Sequence, residues 1–222
     1  MGFIDKILGK EPKWPNVNFD DIKKRSRLLV IDDGPFLYAD LFRNDGYTIE
    51  KWDDVTDISK LEEGYYDLIL LDIQGVGKQY AAEQGLGILK HLRQTTPTQI
   101  IIAYSTAEFS LKYQDFFHLA DASLAKNEDY VVFKREVDKF LRTRFSIDYY
   151  LERISALTDA NDDSAIMKAV RRAILLQKPK TAEKILNRRG IDNKKIGLVL
   201  QIIQVAINIM NLIHSMGMTQ AH

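Results

Sequence analysis

Three carboxylates and one lysine stand at the ends of short apolar runs. Asp32 and Asp33 follow Arg27-Leu-Leu-Val-Ile31, Asp72 follows Leu68-Ile-Leu-Leu71, and Lys126 follows Asp121-Ala-Ser-Leu-Ala125. Such runs read as short buried strands. In an open α/β sheet, ligands bind at the C-terminal edge of the strands. Carboxylates and a lysine converging there suit a divalent cation held beside a carboxylate that can accept a phosphoryl group.

The spacing of the remaining apolar residues supplies the elements that would position these groups. From Ser26 to about Arg144, strand-like runs alternate with helix-like stretches. Phe36, Leu37, Leu41 and Phe42 fall at helical spacing over Pro35–Asn44, and Pro35 suits a first helical turn. Asp45-Gly46 marks a turn, and Tyr47–Trp52 alternates as a half-buried strand. A short helix around Ile58–Glu63 leads to the Leu68 run. Leu86, Leu89 and Leu92 mark a helix over Gly85–Gln94. Ile100–Tyr104 is a further strand, followed by a helix over about Ala107–Leu119, a brief strand at Ala122–Leu124 and a helix over Asp129–Arg142. Five strands alternating with five helices predict a doubly wound parallel sheet covered on both faces. The flavodoxin-like order 2-1-3-4-5 places strands 1 and 3 side by side, so Asp32, Asp33 and Asp72 meet at the switch point.

Composition sets the outer bounds. The chain has 222 residues, no cysteine and a formal net charge of zero. Disulfides, thiolate chemistry and Cys-ligated metals are excluded, and the whole chain carries no excess of positive charge for nucleic acid. His91, His118, His214 and His222 have no metal-ligand spacing among themselves. Gly75-Val-Gly-Lys78 lacks the full spacing of a phosphate loop, and Gln79 follows its lysine. Phe3, Ile4, Ile7 and Leu8 share one face of a short N-terminal helix, read as a packing helix or as an interfacial membrane anchor. The expected organisation is an N-terminal amphipathic segment (1–25), a sheet domain (26–145) and an all-α C-terminal region (146–222).

The sheet segment resembles the receiver domain of two-component response regulators. Val30-Ile-Asp-Asp33 is similar to that family's acidic pair, and Leu70-Leu-Asp-Ile73 to its phosphoacceptor motif. Ile101-Ile-Ala-Tyr-Ser-Thr-Ala107 is similar to its fourth strand, with Ser105 aligning best and Thr106 as the alternative. Ala122-Ser-Leu-Ala-Lys126 is similar to its fifth strand and lysine. The resemblance covers roughly half the chain. It implies Asp72 as phosphoacceptor, Mg²⁺ held by Asp32, Asp33, Asp72 and the Gln74 backbone carbonyl, and Ser105 and Lys126 as phosphoryl contacts. It also implies a sensor histidine kinase or phosphotransfer protein as partner and a cytoplasmic location. No activity is expected beyond gaining and losing phosphate at Asp72. Three departures accompany it: a long Ile73–Gly85 connection without the usual Met-Pro, Asn127 where a proline is usual, and Ser123 where the family has a switch aromatic. A scaffold that never turns over phosphate is the rival expectation.

Beyond Ser146 the chain reads as helices: Ile147–Leu157, Ser164–Gln177 ended by Pro179, Thr181–Arg189 stopped by Gly190, and Asn193–Ile213. Ile196–Ile213 holds no charged residue, and Gln201, Gln204, Asn208 and Asn211 form one uncharged stripe. Eighteen residues at helical rise span roughly 27 Å, bordering on membrane length. The stripe predicts a helix buried nearly all round, its amides bonded to partner helices in a soluble bundle or homo-oligomer. A helix lying on or in a membrane is the alternative, which would make the protein peripheral to the membrane. Residues 168–195 carry ten basic residues against Glu183 and Asp192. A solvated face accounts for them, or contact with an acidic protein surface, anionic lipid or nucleic acid. DNA is not expected, because the helix after Gly190 is apolar where a recognition helix must present polar side chains.

Overall fold

The computed structural model describes residues 12–106, 114–158 and 164–218, and within these the chain forms two compact units. One runs from Asn18 to Phe145; the other joins Ser146 onward to the segment ending at Val17. The N-terminal helix expected around Phe3–Leu8 and most of the helix expected over 107–119 lie outside the described residues.

The first unit opens with α1 (Phe19–Arg25), capped by the Asn18 side chain, which accepts from Asp20 N. Then follow β1 (Arg27–Ile31), α2 (Ala39–Asn44), β2 (Thr48–Trp52), α3 (Ile58–Glu62), β3 (Leu68–Asp72), α4 (Gly85–Thr95), β4 (Ile100–Ser105), α5 (Gln114–Leu119), β5 (Ala122–Ala125) and α6 (Tyr130–Arg144). The strands are all parallel, in the order β2-β1-β3-β4-β5. This is the flavodoxin-like sheet the alternation predicts. Leu68–Leu71 and Ile100–Ala103 are fully buried, as continuous apolar runs must be when helices cover both faces. At the N-terminal edge, Arg144 Nε lies 2.9 Å from Asp67 Oδ1, and Arg93 lies 2.8 Å from Asp121 Oδ2. Those two pairs, the first buried and the second half-buried, tie α6 and α4 to the base of the sheet.

One helix starts later than its periodicity suggests. The helix expected over Pro35–Asn44 begins only at Ala39. Before it, the Phe36 ring stacks 6.2 Å from Phe42 and meets Phe133 edge-on at 5.9 Å. Aromatic packing, worth about 1 kcal/mol per pair, holds that stretch out of the helix.

The second unit contains α7 (Ile147–Thr158), α8 (Ser164–Leu175), α9 (Pro179–Arg188) and α10 (Asn193–Met218). Pro179, expected to end α8, instead opens α9, where a missing N–H costs nothing. α8 closes with Gln177 at φ 56°, its backbone N–H bonded to Ile174 O at 3.0 Å. Helices α7, α8 and α9 pack on α10 and bury Val199, Ile202, Ile203, Ala206, Met210 and Ile213. By length and composition alone α10 could cross a membrane, yet half of that stretch is buried inside the unit. The amide stripe departs from the expectation of burial. Gln201, Gln204, Asn208 and Asn211 are exposed, because three helices cover only part of the α10 circumference. Stripe amides hydrogen-bond within the chain instead: Gln204 Nε2 donates to Asn208 Oδ1 at 3.0 Å and Gln177 Nε2 to Asn211 Oδ1 at 2.8 Å.

Candidate functional site

Parallel register brings the carboxylates to one level. Ile31 pairs with Leu71, and Asp72 with Tyr104. Asp32, one residue past Ile31, consequently stands beside Asp72 at the C-terminal edge of the sheet. One carboxylate oxygen each from Asp32, Asp33 and Asp72 lie within 4.8 Å of one another. Asp32 and Asp72 are buried and Asp33 is exposed, so the cluster opens to solvent on the Asp33 side.

β5 adds the lysine. Ser105 pairs with Ala125, and Lys126 N donates to Ser105 O at 3.1 Å. Lys126 Nζ then reaches Asp72 Oδ2 at 2.7 Å and Asp32 Oδ1 at 2.9 Å. Ser105 is buried at the end of β4, Thr106 beside it is exposed, and Gln74 follows Asp72 on the loop with its side chain exposed.

Close packing against the carboxylate-bearing residues leaves Gly75 and Gly85 open only to glycine. A Cβ on Gly75, at φ +85°, would lie 2.0 Å from Asp33 Oδ2. A Cβ on Gly85 would lie 2.0 Å from Asp72 O. The connection between them is tied down: Gly75 N donates to Gln84 Oε1 at 2.8 Å, Gly77 N to Asp54 Oδ1, and Gln79 Nε2 to Val55 O at 3.0 Å. Gln84 holds φ 58° and ψ −132°, a conformation that costs a non-glycine residue about 1–3 kcal/mol.

Sequence reasoning missed three groups. Tyr104 donates its hydroxyl to Asp32 Oδ2 at 2.5 Å. Gly34 N donates to Asp32 Oδ1 at 2.8 Å, and Lys51 Nζ reaches Asp32 O at 3.0 Å. An aromatic hydroxyl ending the otherwise aliphatic β4 is the signal that could have identified Tyr104.

The two buried carboxylates shift in opposite directions. Burial works to raise the Asp32 pKa, but hydrogen bonds from Tyr104, Gly34 N and Lys126 outweigh it and leave the value lowered. For Asp72 burial prevails, aided by the charge of Asp32, and its pKa is raised. Lys126 is raised: burial opposes its charge, and the two carboxylates more than compensate. The Tyr104 hydroxyl is pushed up by burial and by its bond to Asp32.

An all-oxygen donor set of this size fits a hard divalent cation, and Mg²⁺ in particular, which needs few protein ligands because it retains water. Gly75, without a side chain, leaves Asp33 free to join the set.

No protein-family profile matches the chain, and no curated protein sequence does. Solved structures do. The signal receiver domain of a Luxo repressor protein from Vibrio parahaemolyticus is 21% identical, with a TM-score of 0.46, over 54% of this chain and 92% of that one. A CheY-like receiver domain protein from Methanospirillum hungatei is 20% identical, with a TM-score of 0.45, over 54% of this chain and 95% of that one. The response regulator TrrA from Thermotoga maritima, solved with Mg²⁺ and BeF, is 23% identical, with a TM-score of 0.40, over 52% of this chain and 98% of that one. Each of these three structures is named as a response regulator or receiver domain, and each matches about half of this chain.

Proposed function

We propose that the Asn18–Phe145 unit is a receiver that accepts a phosphoryl group on Asp72, and that the helical unit passes the signal on through protein contacts. The observation that carries this reading is the cluster itself: three carboxylates whose oxygens lie within 4.8 Å, with Lys126 2.7 Å from Asp72. A carboxylate oxygen of Asp72 forms a bond to phosphorus as the bond from phosphorus to the donor's leaving group breaks. Asp32, Asp33, Asp72 and the Gln74 carbonyl would hold Mg²⁺, which supplies neutralisation of the crowded negative charge. Lys126 pairs with a phosphoryl oxygen and Ser105 donates to another. The donor is a sensor histidine kinase or phosphotransfer protein, and self-association runs through the C-terminal helices.

Treatment with a small-molecule phosphodonor and Mg²⁺, followed by intact mass, tests this reading. One added phosphate that disappears in Asp72→Asn is the expected result. A second reading is a scaffold that keeps the fold and binds proteins without phosphotransfer. It is favoured by the pinned connection between β3 and α4, whose Gly75 and Gly77 N–H groups are already tied to Gln84 and Asp54. No mass gain together with no Mg²⁺ binding would establish the scaffold and remove the receiver.

A further inference from the structure

Tyr104 touches both partners of an ion pair at the centre of the site. Its hydroxyl donates to Asp32 Oδ2 at 2.5 Å, and Lys126 Nζ lies 5.1 Å from the centroid of its ring. The same Lys126 bonds Asp32 Oδ1 at 2.9 Å. With Gly34 N also on Oδ1 at 2.8 Å, both oxygens of Asp32 are engaged. Phe36 and Phe133 meet the Tyr104 ring edge-on, each at 6.1 Å, and the residue is 2% exposed. The ring cannot rotate away without disturbing that packing.

A buried tyrosine needs some acceptor for its hydroxyl, and a backbone carbonyl serves as well as any. Here the acceptor is instead a carboxylate of the cation cluster, itself 1% exposed. On the receiver reading above, on which this inference rests, a phosphoryl group on Asp72 draws Lys126 toward its own oxygens. Asp32 then loses its ammonium partner while remaining buried. The Gly34 N–H and the Tyr104 hydroxyl are the donors left to support its charge and fix its rotamer. An ionised carboxylate deprived of both partners carries a large desolvation cost.

We infer that Tyr104 is a positioning residue of the cation site: its hydroxyl holds Asp32 in the orientation that presents the carboxylate to Asp33 and Asp72. Tyr104 acts through Asp32, the group its hydroxyl bonds. Its ring, lying against the Lys126 ammonium, keeps that group beside the two carboxylates it bridges.

Calorimetric titration of the full chain with Mg²⁺, in the absence of any phosphodonor, tests the inference. Tyr104→Phe keeps the ring and its packing and removes only the hydroxyl, and its Mg²⁺ affinity is expected to fall about tenfold. If the effect passes through Asp32, adding Tyr104→Phe to Asp32→Asn changes the affinity no further, a non-additivity that loosened packing would not produce. Phe133→Leu loosens the same aromatic cluster away from Asp32; it should lower the unfolding midpoint and leave the affinity within about twofold. Unchanged affinity in Tyr104→Phe, or equal losses in both backgrounds, overturns this inference and leaves the receiver reading standing. Absence of Mg²⁺ binding by the unaltered chain overturns both. Should Tyr104→Phe unfold, the affinity of Phe133→Leu decides: a loss as large as that of Asp32→Asn would assign the effect to packing and overturn the inference.

Discussion

Lys126 Nζ lies 2.7 Å from Asp72 Oδ2, on the carboxylate proposed to accept phosphate. The ammonium thus already neutralises part of the charge that would draw a cation to the cluster. On the proposed reading, lysine and cation would compete for these carboxylates until a phosphoryl group gave the lysine another partner. Removing it should separate the two roles. Lys126→Met is expected to bind Mg²⁺ about tenfold more tightly, since one unit charge near the site is lost. The same variant should accept phosphate from a small-molecule donor more slowly. Calorimetry and intact-mass time courses read the two effects, and weaker Mg²⁺ binding in Lys126→Met would refute the competition.

The opposed shifts of Asp32 and Asp72 predict opposed stability effects. The folded-state pKa of Asp32 is lowered. Its contribution to stability is present above the unfolded carboxylate value and is lost as pH falls through the folded one. Asp72 is raised by burial. Its contribution is fully present below the unfolded carboxylate value and is lost as pH climbs through the raised folded one. In Mg²⁺-free buffer near neutral pH, Asp32→Asn should cost about 1–3 kcal/mol through its lost charge-assisted bonds. Asp72→Asn should cost little or even stabilise, because a buried charge beside Asp32 is removed. Urea unfolding at neutral pH and at about pH 4.5 compares them, and a larger loss for Asp72→Asn than for Asp32→Asn would contradict the assigned shifts.

Two glycines at similar backbone angles should respond differently to alanine. Gly46 has φ +88° with nothing within 4 Å of an added Cβ, whereas a Cβ on Gly75 would lie 2.0 Å from Asp33 Oδ2. Each change to alanine costs about 1 kcal/mol in backbone strain. Only Gly75→Ala should displace Asp33 and weaken Mg²⁺ binding, by about tenfold or more. Equal Mg²⁺ affinity in both variants would mean Asp33 lies outside the cation site.

What was legible in the sequence follows from what strands do to their neighbours. A charged residue directly after a buried apolar run can only emerge at the sheet edge, so Asp32, Asp72 and Lys126 were placed by the chain alone. Tyr104 was not, because an aromatic within an aliphatic strand reads as core, and only the three-dimensional register reveals Asp32 beside its hydroxyl. The late start of α2 was hidden for a similar reason: Phe36 satisfies helical spacing, yet its ring is drawn to Phe133 and Tyr104, which are distant in sequence. For the amide stripe of α10, an uncharged row cannot say from spacing whether solvent or protein faces it.

That exposed row yields the final prediction. Gly197, Gln201, Gln204, Asn208, Asn211 and Ser215 are exposed on α10, at alternating steps of four and three that match a coiled-coil seam. Half-buried Leu198, Val205 and Leu212 flank the row, so its margins are apolar and its centre is made of groups that both donate and accept. A second copy of the same row could exchange these bonds for bonds across an interface while covering the apolar margins, and self-association through α10 is the expected consequence. Replacing Gln204 and Asn208 with Leu would leave helicity intact, since Leu is the better helix former, but would change the oligomer's size or register. Replacing Ile202 and Ile209, 1% and 6% exposed against the other helices, with Asp would bury an unpaired charge and unfold the helical unit. Light scattering and circular dichroism on the parent, the Leu variant and the Asp variant separate these effects. A monomer for both the parent and the Leu variant would mean that the row faces only water, and self-association through α10 would be ruled out.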